Sequence, residues 1–172
     1  MNPYTSLARK AVEKYIIKGE IISLPEDLPQ DFYERRAGVF VTLKREGQLR
    51  ACMGTSYPIK NNIAGEIVCN AIAAATEDHR FGPVEESELP QLSYEVYILS
   101  TPKVIKGLEE LDPKEFGVIV KGVFGKTALL LPGLEGIDTI DKQIETVCKK
   151  AGIDREEGDY SIYRFSADKY EE

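Results

Sequence analysis

The chain has 172 residues, 42% of them hydrophobic and 30% charged. That composition excludes a disordered or collagen-like chain and suffices for a core of its own, as one domain or as one domain with two lobes. Its 29 acidic against 22 basic residues leave a net charge of −7, and the longest basic clusters are pairs such as Arg35-Arg36 and Lys149-Lys150, so sequence-independent nucleic-acid binding is not expected.

The three cysteines, Cys52, Cys69 and Cys148, are widely spaced, which fits free thiols in a reducing compartment better than a disulfide framework or a zinc ribbon. The start of the chain lacks the apolar stretch of a signal peptide. No apolar run approaches the ~20 residues of a membrane helix. A cytoplasmic protein with no membrane partner is therefore expected.

Ser6 to Lys18 carries a helical stripe, Leu7, Ala11, Tyr15 and Lys18 with Ala8, Val12 and Ile16 beside it. Ser6 is the expected N-cap and Gly19 the stop. Residues 20–36, with Pro25 and Pro29, read as an irregular surface connection. Gly38 to Gly54 alternates as a β-hairpin that turns at Lys44-Arg45-Glu46-Gly47. On its second strand Leu49, Ala51 and Met53 share one face, and Arg50, Cys52 and Gly54 the other.

Asn61-Asn62 can cap a helix to about Thr76, with Asn62, Glu66, Asn70, Ala73 and Glu77 as its solvent stripe. This reading places Cys69 in the core. Asp78 to Glu88 reads as a loop and Leu92 to Ser100 as a strand. A second hairpin joins Gly117–Val120 to Thr127–Leu131. An amphipathic helix carries Ile140, Ile144, Val147 and Cys148, with Asp138 or Thr139 as its cap and Gly152 as its stop, and Tyr160 to Phe165 is a last strand. The acidic runs, among them Asp154, Glu156 and Glu157, read as solvated surface. Adjacent hairpins with packed helices predict an α+β fold with a largely antiparallel sheet, and no linker or repeat divides the chain.

Few residues carry legible chemistry. Gly125-Lys126-Thr127 has the end of a phosphate-binding loop. The position needing the first glycine is Val120, and the following Ala128–Leu131 run suits a strand, so a hairpin turn is expected. His79 is the only histidine, which removes sites needing two or three. Neither a metal nor a cofactor is expected. Cys52 is the sharpest candidate. Arg50 on its face would favour a thiolate, Gly54 would leave room for a ligand or another backbone, and Thr55 would add a hydroxyl donor. Against this, a free cysteine commonly packs as a small apolar residue.

The stretch Gly38-Val-Phe-Val-Thr-Leu43 followed by Leu49-Arg-Ala-Cys-Met-Gly-Thr55 resembles the signature of the AMMECR-one domain family, the AmmeMemoRadiSam system protein A group. The likeness continues through Ala74 to Phe81, Leu129 to Pro132, Thr146 to Gly152 and Tyr163-Arg164-Phe165. Ala51 and Met53 depart from the usual Gly and Ile, and a methyl at residue 51 could crowd the site. The resemblance implies a compact α+β domain that occurs alone, fused with, or encoded near a Memo-like protein related to extradiol dioxygenases and a radical SAM enzyme.

Three readings stand. In the first, the protein is an accessory or substrate-handling domain for those two partners. Arg50 would hold an anionic small molecule, Cys52 would supply a thiolate or redox-sensitive thiol, and Gly54-Thr55 would donate hydrogen bonds beside the Asp78-His79-Arg80-Phe81 loop. In the second, Cys52 and Arg50 are the catalytic pair of a cysteine-dependent enzyme. In the third, the signature is a strand that must fit under a helix, and Cys52 is core.

Overall fold

The computed structural model describes residues 2–156 and 158–172; Glu157 lies outside them. Helix α1 (Pro3–Lys18) starts before its apolar stripe does. Asn2, not Ser6, is the N-cap: its side chain accepts the Tyr4 amide at 2.9 Å, and proline at the first helical position has no amide to leave unpaired. Gly19 ends the helix at φ 68°. The following connection contains one short turn of helix, α2 (Asp31–Glu34), which buries Phe32.

Strands β1 (Val39–Arg45) and β2 (Gln48–Thr55) form the first hairpin. Glu46 and Gly47 both take positive φ, 53° and 77°, the requirement of the tight primed turns that match strand twist. Helix α3 (Ile63–Glu77) follows, capped by Asn62 through the Gly65 amide. A 3-10 turn (Glu86–Gln91) leads into β3 (Leu92–Leu99).

β4 (Lys103–Val104), β5 (Gly117–Gly122), β6 (Thr127–Leu130), α4 (Ile140–Ala151) and β7 (Tyr160–Phe165) come next, and β8 (Ala167–Glu171) ends the chain. The segment after Gly125-Lys126 is strand β6, as a hairpin requires. Thr139 caps α4, and Gly152 closes it in the left-handed conformation.

These elements make an α+β protein with two four-stranded antiparallel sheets, ordered β2-β1-β3-β8 and β4-β7-β5-β6. Two compact units result, one from the chain up to Leu99 with Asp168–Glu172, the other from Ser100–Ala167. In the first, α1 and α3 pack on one face of the sheet, over Val39, Val41, Leu43, Ala51, Tyr94, Val96 and Ile98. In the second, α4 covers Val118, Val120 and Leu130 with Ile144, Val147 and the buried Cys148. The short strands β4 and β8 were not legible in the sequence, because segments of two and five residues carry too little alternation.

Helix α3 corrects the sequence reading. Glu66 and Asn70, placed on the wet stripe, are 1% and 5% exposed, whereas Cys69, placed in the core, is exposed. The amides of Ile59 and Lys60, in the segment that leads into the helix, need acceptors. The Glu66 carboxylate takes the Ile59 amide, the Lys60 amide (2.5 Å), the Thr55 hydroxyl (2.9 Å) and the Asn70 side-chain amide (3.3 Å). A buried carboxylate is tolerated when its lone pairs are filled in this way.

Glu66→Ala should therefore cost ~2–4 kcal/mol of stability in urea denaturation, because it strands several buried donors at once. Cys69→Ser, one turn away on the open face, should stay within ~0.5 kcal/mol.

Candidate functional site

β2 is an edge strand, and this fact organises the site. In an antiparallel pair, alternate residues turn their main-chain groups away from the partner strand. Cys52, opposite Thr42, is one of these: its amide donates outward to Asp78 Oδ2 at 2.9 Å. Asp78 is the residue on which α3 ends, so the helix exit caps the sheet edge. The same carboxylate accepts Arg80 Nε (2.9 Å), Arg80 Nη2 (2.7 Å) and the Arg80 amide (3.2 Å). Arg80 Nη2 also approaches the Cys52 carbonyl at 3.4 Å, and its guanidinium lies over the Phe81 ring. Asp78 is buried while the Arg80 side chain is 56% exposed. The arginine thus presents a cation to solvent beside the Cys52 main chain.

The Cys52 sulfur is half-buried and accepts a hydrogen bond from the Thr42 hydroxyl at 3.2 Å. Thr42 lies between Cys52 and Glu95 in register across three strands, so a polar row crosses the sheet face opposite α1 and α3. Glu95 closes that row. It is bound by Lys44 (2.6 Å), Lys169 of β8 (3.0 Å) and the Tyr97 hydroxyl (3.0 Å). Burial alone would push the Glu95 carboxyl up, but these three donors bring it below its ordinary value, and the Tyr97 hydroxyl is pushed up by burial and by the Glu95 charge.

The other expected site residues have structural work. Arg50 shares the Cys52 face, but its head group turns to Glu88, with Nε to Oε1 at 2.8 Å and Nη2 to Oε2 at 2.9 Å, and to the carbonyls of Gly82 and Pro83. This paired fork on a carboxylate is largely buried. The Glu88 carboxylate also takes the Glu85 amide and Arg45. Arg50 therefore pins the 82–88 loop instead of facing the sulfur.

Gly54 lies opposite Phe40, whose ring rests on it; a Cβ there would come within 2.3 Å of that ring and 2.5 Å of the Val39 carbonyl. The room at Gly54 is filled by this protein's own aromatic side chain. The Thr55 hydroxyl is given to Glu66. His79 is exposed and takes no part in this hydrogen-bond network. The Ala51 methyl is fully buried opposite Leu43 on the helix-covered face, so it does not crowd Cys52. Sequence reasoning missed Asp78 as the anchor, and Glu88, Thr42 and Glu95 as its neighbours. Only the Asp78-x-Arg80 spacing hinted at a carboxylate that binds its own loop.

The likeness to known proteins extends well beyond this site. The AMMECR1 family model matches residues 5–170. The chain belongs to the AMMECR1 family. A Thermotoga maritima relative is 46% identical over 98% of this chain and 97% of its own length. A Clostridium acetobutylicum relative is 42% identical over 99% of this chain, which spans 36% of that protein's length. The crystal structure of the uncharacterized protein PH0010 from Pyrococcus horikoshii superposes with a TM-score of 0.90 at 33% identity, over 98% of this chain and 89% of that one.

In this AMMECR1 domain the loop's two carboxylates are held well below the ordinary carboxylate range. Hydrogen bonds from Arg80, then from the Cys52 and Arg80 amides, hold Asp78 at about 2 against burial. Arg50 does the same for Glu88, also at about 2. Their ordinary values are 3.8 and 4.5. A carboxylate whose folded value is depressed adds stability above its unfolded value and loses it as pH falls through the folded one. The wild-type protein should therefore lose stability steeply as pH drops from about 4.5 to about 2. Asp78→Asn and Glu88→Gln should each be less stable at pH 7 and show a flatter acid limb, as read from denaturation midpoints at a series of pH values.

Proposed function

We propose that this AMMECR1 domain is an accessory, substrate-handling domain that works with a Memo-like protein and a radical SAM enzyme, and that its working surface is the edge of β2 at Cys52 with the Asp78–Phe81 loop. The observation that carries this reading is the setting of the Cys52 sulfur. It is half-buried, it receives a hydroxyl hydrogen bond from Thr42, and the exposed Arg80 guanidinium stands beside its main chain. Arg80's own basicity is raised chiefly by Asp78 and in smaller part by the charge of Cys52. On this reading the attraction is mutual and Arg80, though paired with Asp78, favours the thiolate.

The division of labour differs from that expected for the strand alone. Arg80, half in solvent, is the cation that meets an anionic group of a substrate or partner. Arg50 and Gly54 hold the strand and loop in place, and Thr55 anchors β2 to α3. The family resemblance supplies the partners. Occurrence of the domain within a Clostridium acetobutylicum protein of which it spans 36% suits a module that serves others.

The Thr42 hydroxyl on the sulfur and the Arg80 charge beside the Cys52 main chain favour a second reading, in which Cys52 is the nucleophile of a cysteine-dependent enzyme. Both readings require a thiolate-prone Cys52. Iodoacetamide at neutral pH should alkylate Cys52 faster than the exposed Cys69, and Arg80→Gln should slow Cys52 several-fold without slowing Cys69. Equal rates, or no effect of Arg80→Gln, would count against both. Coexpression with a Memo-like protein and a radical SAM enzyme separates them. On the accessory reading Cys52→Ser folds normally and copurifies poorly with those partners; undiminished copurification would leave the nucleophile reading ahead.

A further inference from the structure

The second unit contains a cavity of about 400 Å³, within the ~300–1,000 Å³ range usual for small-ligand pockets. None of the Cys52 surface residues lines it. Strand pairing makes this cavity basic. β4 and β7 are antiparallel with Lys103 opposite Arg164, so the two side chains rise from the same face of the sheet. Like charges set directly opposite each other repel. Neither one has an ion-pair partner among the described residues, in a protein whose net charge is −7.

The arginine is held in place. Its Nη1 donates to the Glu110 carbonyl at 2.5 Å, and its guanidinium lies 4.6 Å from the centre of the Phe116 ring. The Glu110 carboxylate accepts the Lys106 amide at 2.8 Å and feels the Arg164 charge without closing to an ion pair with it. The remaining guanidinium N–H groups are left for a ligand. Hydroxyls complete the polar wall. Ser100 Oγ accepts the Ser166 amide at 2.9 Å, which leaves its proton to donate, and Thr101 lies beside it in the lining. Phe116, on the same side as Arg164, forms the apolar wall; Phe165, the next residue along β7, points to the other face and is buried against Gly117.

We propose that this cavity binds a small organic dianion, a phosphate monoester carrying a flat apolar group. Lys103 and Arg164 take the phosphate, the Ser100 and Thr101 hydroxyls donate to its remaining oxygens, and the apolar group packs against Phe116. Two opposed cations match a group carrying about two negative charges better than a carboxylate carrying one, and the fixed guanidinium fork suits phosphate oxygens.

The full chain titrated with phenyl phosphate, inorganic phosphate and benzoate tests this by amide NMR. Phenyl phosphate should shift the amides of Thr101, Lys103, Arg164, Phe165 and Ser166 with submillimolar affinity. Inorganic phosphate should move the same signals more weakly, for want of the apolar contact. Lys103→Glu, on an exposed edge position, should weaken phenyl phosphate about tenfold or more at an unchanged thermal midpoint. This variant remains informative if Arg164→Leu fails to fold. Absence of shifts at millimolar ligand, shifts centred on Arg80, or indifference to Lys103→Glu would overturn the site. Benzoate binding as tightly as phenyl phosphate would overturn the dianion assignment. These outcomes are independent of the behaviour of Cys52.

Discussion

One carboxylate closes the open edge of the first sheet. An edge strand exposes unpaired main-chain groups, and proteins must cover or satisfy them. Here Asp78, on which α3 ends, takes the outward amide of Cys52. Through Arg80 it also returns a donor toward the Cys52 carbonyl. Helix exit, loop and strand become one hydrogen-bonded unit. Arg50 makes the reciprocal connection one pleat away, reaching from the strand to the carbonyls of Gly82 and Pro83 and to Glu88. The sulfur is therefore carried by a strand stitched to its neighbouring loop from both directions, which is the kind of support a binding or reactive group needs to hold its geometry.

The same logic extends across the sheet. Thr42 links the sulfur to the row that ends at Glu95, and Glu95 is charge-balanced by Lys44 and by Lys169 from the far end of the chain. A buried carboxylate of this kind is stable only while its donors stay in place. The C-terminal strand β8 therefore contributes to the polar face beside Cys52 as well as completing the sheet.

Much of the fold was legible because its long elements obey simple periodicity. α4 and β7 followed their apolar patterns, the β1–β2 turn was marked by Gly47, and the α+β class followed from the two hairpins. The site was less legible. The sequence could place Arg50 and Cys52 on one face by the two-residue repeat of a strand. It could not show which way a long guanidinium side chain turns, and Glu88, 38 positions away, decides that. Glu66 and Asn70 looked solvated because a helical stripe is read without the loop that folds over it. Gly54 looked like space for a ligand because its cross-strand neighbour Phe40 becomes visible only once the register is known. In each case a partner outside the element's own repeat overrode a local pattern.

Asp78 fastens the Cys52 amide at a strand edge that would otherwise be open, and amide hydrogen exchange reads that bond directly. The Cys52 amide should exchange as slowly as those of its ladder neighbours Ala51 and Met53. In Asp78→Ala it should become fast while those two stay protected. A Cys52 amide that exchanges rapidly in the wild-type protein, or is unchanged in Asp78→Ala, would contradict that role of Asp78.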